Sequence, residues 1–244
     1  MHSLLKSVYE RYSELKMGTS EICNQCRDDS SNELAGPVPI YHVGKSYHKD
    51  GLKVLFIGSA AYGFGASDQE CPISLDDWRA FHSGGAIIPK FYNAFEKRIT
   101  GIFTNNTSNF WHIIRLVTKK LYSNESLEEG YEKIAITNFM KCNKNESSKY
   151  DLPNEIRANC AHPCKKQMFA YEEIQVLKPI IVVSLACNKD NAYFSDYEKE
   201  YYNNKEPAHP IKVATLNRHP MILEKGESTG DYADELFSKI KEAE

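Results

Sequence analysis

The sequence predicts an α/β protein, a three-layer α/β/α arrangement around a central sheet of four parallel strands. Four short apolar runs carry this: Lys53-Val-Leu-Phe-Ile-Gly58, Lys133-Ile-Ala-Ile-Thr-Asn138, Ile180-Ile-Val-Val-Ser-Leu-Ala186 and Ile211-Lys-Val-Ala-Thr-Leu216. Their length and β-branched character are those of buried parallel strands. Helical patterns lie between them, and strands alternating with helices build a parallel sheet covered on both faces. The runs end at Gly58-Ser59-Ala60-Ala61-Tyr62-Gly63, Asn138, Cys187-Asn188 and Asn217-Arg218-His219-Pro220. Functional groups collect at that end of such a sheet.

In chain order, Leu4, Leu5, Val8, Tyr12 and Leu15 recur at helical spacing, so residues 3 to 16 read as an amphipathic helix stopped by Gly18. Cys23 to Pro39 is polar and reads as a loop. After the first strand, the stretch from Gly63 to Pro89 has glycine-rich ends around Trp78 and Phe81. It exceeds the usual ~2–6 residues of a βα connection and reads as a functional loop. Ser108 or Asn109 caps a helix carrying Phe110, Trp111, Ile114, Leu116 and Val117. Met168 to Leu177 is helical until Pro179 stops it, and a last helix runs from Asp231 to Lys241. The chain is expected to form a single domain, residues 1–244, with the N-terminal helix and cysteine loop (1–40) packed on it.

With 244 residues, 41% of them hydrophobic, the chain can bury a full core. A net charge of −3 excludes a general basic coat, so any polyanion site must be a local patch. No apolar run approaches the roughly 20 residues of a membrane span, and Met1 to Lys16 lacks the apolar centre of a signal peptide. A membrane partner and secretion are therefore not expected. Seven cysteines, an odd number, point to a reducing, cytoplasmic setting and thiolate chemistry.

Cys23 and Cys26 form a Cys-x-x-Cys pair that can grip one metal from a single turn, while Cys142 and Cys160 must arrive through the fold. Thiolates select zinc, Cu(I) or iron–sulfur clusters. Spacing alone leaves zinc and iron–sulfur open.

Several segments then resemble the uracil-DNA glycosylase superfamily, especially its iron–sulfur branches. Ile136-Thr-Asn-Phe-Met-Lys-Cys142 is similar to its Thr-Asn-(two apolar)-Lys-Cys segment, and Glu155-Ile156 followed by Cys160 to its Glu-Ile-(two residues)-Cys segment. Ile174 through Ser184 resembles the helix and strand that follow, Val54 to Gly58 the strand entering the first motif, and His219-Pro220 lies where the second motif falls. The likeness spans residues 20 to about 222. It implies a uracil-DNA glycosylase-like sheet and a [4Fe–4S] cluster on Cys23, Cys26, Cys142 and Cys160, with Cys164 competing for the fourth place. A structural zinc clip is the alternative cofactor.

The resemblance also implies roles. A glycosylase extrudes its target nucleotide into a pocket and reads the base edge by hydrogen bonds. Asn138, donor and acceptor in one amide, would read a pyrimidine, the alternative being an asparagine that caps the next loop. His219 would hydrogen-bond to negative charge developing on the departing base. Where related branches carry an acid or amide after the first strand, this chain has Ser59 and Ala60-Ala61, so Asp68, Glu70, Asp76 or Asp77 of the long loop would have to orient water, with Asp68 the candidate chosen. Ser59 would line the pocket, Tyr62 and Phe81 would offer aromatic faces, and Arg218 would touch phosphate or base. Lys141, Lys144, Lys149, Arg157, Lys165 and Lys166 would meet phosphates or form a solvated basic face.

The expected activity is that of a monomeric, monofunctional DNA glycosylase in base-excision repair of DNA damage. It would hydrolyse the N-glycosidic bond of a flipped pyrimidine to leave an abasic site. Uracil is the default base. The altered first motif keeps open bulky modified pyrimidines of viral DNA, an antiviral defence role. It equally keeps open a non-catalytic iron–sulfur DNA-binding module. An electron-transfer protein fits less well, because the tight multi-cysteine run of such proteins is missing.

Overall fold

A computed structural model describes residues 3–21, 23–24, 34–35, 37–49, 51–60, 73–85, 89–141, 143–144, 169–185, 187–188, 191–192, 196–216, 218, 220 and 223–244. The chain divides into two compact units, each assembled from three stretches. The first comprises Met1–Tyr41, Ala60–Arg98 and Asn138–Leu177, and the second His42–Ser59, Ile99–Thr137 and Lys178–Glu244.

The main sheet falls mostly in the second unit. Its strands are β2 (His42–Val43), β3 (Val54–Ala60), β4 (Ile134–Met140), β6 (Ile181–Ser184) and β9 (Lys212–Ala214), in the order β2-β4-β3-β6-β9. Ala60 of β3 and Asn138–Met140 of β4 belong to the first unit. All four expected strands are present. β3 pairs parallel with β6, with Val54 opposite Ile181, and β6 pairs parallel with β9. The expectation of a four-stranded, wholly parallel sheet needs correction at one edge: β2 adds a fifth strand that pairs antiparallel with β4, making the sheet mixed. Gly44 permits that edge, because its N–H donates to Ile134 O at 2.9 Å and a Cβ there would lie 2.1 Å from the Glu132 carbonyl oxygen. Val54 to Ile57 and Ile181 to Ser184 are buried throughout, as the unbroken apolar runs require.

Helices α4 (Asn109–Leu121) and α8 (Thr229–Ala243) pack on each other in the second unit; α4 buries Trp111, Ile114 and Val117, and α8 buries Tyr232, Leu236 and Ile240. The α8 start is a capping box, with Ser228 accepting from Asp231 N and Asp231 reaching back. The short helix α5 (Leu127–Tyr131) opens on a second box, Ser126 with Glu129. Helices α3 (Tyr92–Asn105), α5 and α7 (Asp196–Lys205) lie outside the segments read above as helical.

The first unit is built on aromatic packing. Helix α1 (Ser3–Glu14) buries Leu5, Val8, Tyr9 and Tyr12, and packs on helix α6 (Phe169–Leu177). Tyr9 meets Tyr12, Phe81 and Tyr92 edge-on, and Trp78 meets Tyr12 and Phe81 likewise. Edge-to-face contacts of this kind suit the ring quadrupole. Part of the expected long loop is instead helix α2 (Leu75–Ser83), started by a capping box between Ser74 and Asp77. Trp78 Nε1 donates to Pro37 O at 2.8 Å. Gly18, with φ +83°, passes so close to the indole that a Cβ would stand 2.8 Å from Trp78 Cγ, so glycine is required twice over.

Two short strands complete this unit. β1 (Leu34–Ala35) pairs antiparallel with β5 (Asn143–Lys144), Ala35 opposite Asn143. The remaining strands, β7 (Cys187–Asn188) and β8 (Asn191–Ala192), form a separate antiparallel pair. Among the described residues, no helix is long and apolar enough to cross a membrane.

Candidate functional site

The polar groups that matter most lie in the first unit, around the last residues of β4 and the extended segment before β2. Asn138 is buried, at 3% exposure, and its Nδ2 donates to Tyr41 Oη at 2.5 Å. Tyr41 is itself buried, its ring tilted 51° to Phe95 at 6.1 Å between centroids. One N–H of the asparagine amide is thereby committed; a primary amide carries a second N–H and the acceptor Oδ1 besides.

Three residues farther on, Lys141 makes an ion pair with Glu173 of α6, Nζ to Oε1 at 2.5 Å, with side chains 1% and 0% exposed. The same Oε1 accepts a hydrogen bond from the Tyr12 hydroxyl of α1. Tyr12 Oη in turn accepts from Ile40 N at 2.9 Å, and Val38 N donates to Lys141 O at 2.6 Å. One carboxylate thus fastens both chain segments that carry the Asn138–Tyr41 pair. Burial, reinforced by the Glu173 charge and hydrogen bond, raises the Tyr12 phenol well above its ordinary pKa. Charges this deep persist only when paired and hydrogen-bonded. A second bridge, Arg11 to Glu172 at 2.6 Å, joins α1 to α6 at the surface.

This placement corrects one expectation. Lys141 does not offer its charge to DNA phosphates, because the buried Glu173 holds it inside the unit. Phe81 lies on α2 rather than in a loop and is buried, at 4% exposure, against Tyr9, Trp78 and His82. Ser59 is the penultimate residue of β3. Arg218, in the second unit, contacts Glu227 Oε1 at 2.6 Å and Glu235 Oε2 at 2.7 Å and lies over the Tyr232 ring. The Glu235 hydrogen bond, ahead of the one to Glu227, raises the guanidinium pKa, and a phosphate would compete with both carboxylates. Asp68, Tyr62, His219, Cys26, Cys142, Cys160 and Cys164 lie outside the described residues, as do Lys149, Arg157, Lys165 and Lys166.

Of the four expected ligands, Cys23 is described. It is half-buried on a helical turn, and its N–H donates to Ser20 Oγ at 3.3 Å. β1 and β5 are paired strands: Leu34 lies eight positions after Cys26 in sequence, and its partner strand begins at Asn143, one position after Cys142. Four thiolates suit a cluster or a zinc centre in donor chemistry, and of the four Cys23 alone belongs to the described residues.

Sequence reasoning missed Tyr12, Tyr41 and Glu173. Glu173 had a signal: four residues after Phe169 and four before Leu177, it sits on the apolar stripe of α6. An acid on a core-facing stripe needs a buried cation. Tyr41 had none, since its partner lies 97 residues away. The sequence matches no protein-family model and no curated protein, so the chemistry of the site itself has to carry its functional interpretation.

Proposed function

We propose that the chain is a monofunctional DNA glycosylase that hydrolyses the N-glycosidic bond of a flipped pyrimidine. The supporting observation is the buried Asn138 amide near the end of a central strand, held through Nδ2 by Tyr41. An oriented amide, offering both donor and acceptor chemistry, is what reading a base edge requires. The proposal includes the superfamily's three-layer arrangement around the mixed sheet, a monomeric state and action in the reducing cytoplasm.

In the proposed reaction the extruded base lodges against Asn138. The bond from C1′ to the base nitrogen breaks, leaving an oxocarbenium-like sugar and an anionic base. His219 donates a hydrogen bond to the base oxygen as charge develops there. Water, oriented by Asp68, adds to C1′ and yields its proton, while the base leaves protonated and an abasic site remains. Cys23, Cys26, Cys142 and Cys160 would hold a [4Fe–4S] cluster, whose contribution is to tie the N-terminal loop to the segment after β4. The support for that assignment is the Cys-x-x-Cys pair and the two later cysteines in the sequence.

Uracil is the first substrate to test. Bulky modified pyrimidines of viral DNA stand beside it, because Gly58-Ser59-Ala60 supplies no acid where related branches have one. The decisive experiment measures abasic-site formation by the full chain on oligonucleotides carrying uracil or a modified cytosine. Asn138→Ala and His219→Ala serve as controls. Activity lost in both variants while they stay folded supports the proposal. DNA binding without abasic sites on any member of the panel points instead to a non-catalytic iron–sulfur DNA-binding module.

A further inference from the structure

We propose that Tyr41 is a positioning residue that sets base specificity, by holding the Asn138 amide in the one orientation that accepts a uracil-type edge and rejects a cytosine-type edge. This rests on Asn138 being the base-reading residue. The geometry behind it is the 2.5 Å hydrogen bond from Asn138 Nδ2 to Tyr41 Oη, between side chains that are both buried.

A primary amide presents a carbonyl oxygen and an N–H side by side, and rotation by half a turn exchanges them. Uracil offers N3–H and O4, whereas cytosine offers an unprotonated N3 and an amino group, the reverse order. An amide free to turn serves both bases. With Nδ2 anchored on the Tyr41 oxygen, Oδ1 and the remaining N–H occupy defined places. Turning the amide sets Oδ1 against Oη and requires the phenol hydrogen to re-aim. Mismatched buried polar groups are where binding sites gain their largest discrimination.

The phenol is itself held. Its ring packs against Phe95, and the preceding residue, Ile40, is tied through its N–H to Tyr12 and from there to Glu173 and Lys141. Tyr41 Oη therefore has little freedom to follow a turning amide. The anchor belongs to the fold and is present before any base arrives.

The test compares binding of the full chain to two oligonucleotides whose central nucleotide is 2′-deoxy-2′-fluorouridine or 2′-deoxy-2′-fluorocytidine, sugars that resist cleavage. Wild type should prefer the uracil form. Tyr41→Phe, which keeps the ring, should lower that preference about tenfold, the worth of one well-placed hydrogen bond. Affinity for an oligonucleotide with an abasic analogue at that place should stay unchanged. Tyr41→Phe combined with Asn138→Ala should be no less selective than Asn138→Ala alone.

Retention of full preference in Tyr41→Phe, or independent addition of the two losses, overturns the role of Tyr41 and leaves the glycosylase proposal standing. Equal binding of both oligonucleotides by wild type overturns base reading by Asn138 and the role of Tyr41 together. Should Tyr41→Phe fail to fold, wild type alone decides. The Asn138 side-chain amide, recognised in a 15N-correlated spectrum by its loss in Asn138→Ala, should show one proton protected from solvent exchange. Rapid exchange of both protons sinks the anchor.

Discussion

Replacing Glu173 by glutamine removes one charge and little else: the side chain keeps its length and can still accept from Tyr12. Lys141, however, retains an ammonium at 1% exposure with its counter-charge gone. Breaking a buried ion pair from one side costs about 3–5 kcal/mol, because the surviving charge stays desolvated and unmatched. For a chain of this length, each kcal/mol corresponds to roughly 2–4 °C in Tm, so Glu173→Gln should melt about 6–20 °C below wild type. Thermal and urea unfolding, followed by circular dichroism, measure both quantities. The double variant Lys141→Met/Glu173→Gln should recover much of the loss, since no buried charge remains. A Glu173→Gln protein within about 0.5 kcal/mol of wild type, the range of ordinary surface changes, would refute the reasoning.

Alkaline stability provides a second check. Burial, ahead of neighbouring charge, raises the phenols of Tyr12 and Tyr47 well above their ordinary range and pushes Tyr202 up to about 12. A raised folded-state pKa means the folded protein keeps a proton that the unfolded chain releases. This contribution is intact below the unfolded pKa of about 10 and falls by about 1.4 kcal/mol per pH unit per phenol above it. Unfolding titrations from pH 9 to 12 should show this loss, and Tyr47→Phe should make it shallower; an unchanged slope contradicts the assignment. Gly44→Ala should destabilise by roughly 2 kcal/mol or more in urea, because the new Cβ collides with Glu132 backbone; a neutral result would show that the β2 edge adjusts freely. Anaerobically purified protein should contain iron and acid-labile sulfide, both lost in Cys23→Ser. Zinc without iron would replace the cluster with a structural zinc clip.

The four main strands were legible because each is an apolar run of β-branched residues, and Val54 to Ile57 and Ile181 to Ser184 lie wholly inside the sheet. β2 was not, since two residues, His42 and Val43, carry no periodicity and pair only through the register of a distant strand. Helix α2 announced itself in Ser74-Leu-Asp-Asp77, a capping-box pattern that the flanking glycines obscured. Asn138 could be singled out from its motif, yet nothing near it in sequence shows that Tyr41 holds its amide. Lys141 looked like a surface cation because charge alone does not reveal burial. Only Glu173, on the apolar stripe of α6, hinted that a buried cation was waiting for it.

The measurement closest to the central claim is a single-turnover comparison of wild type and Asn138→Ala on a uracil-containing oligonucleotide, with protein in excess and abasic sites cleaved by alkali for detection. Wild type should convert the substrate, and the variant should do so about 100-fold more slowly or worse while melting near wild type. Equal rates for the two proteins would remove Asn138 from base recognition and contradict the account at its base.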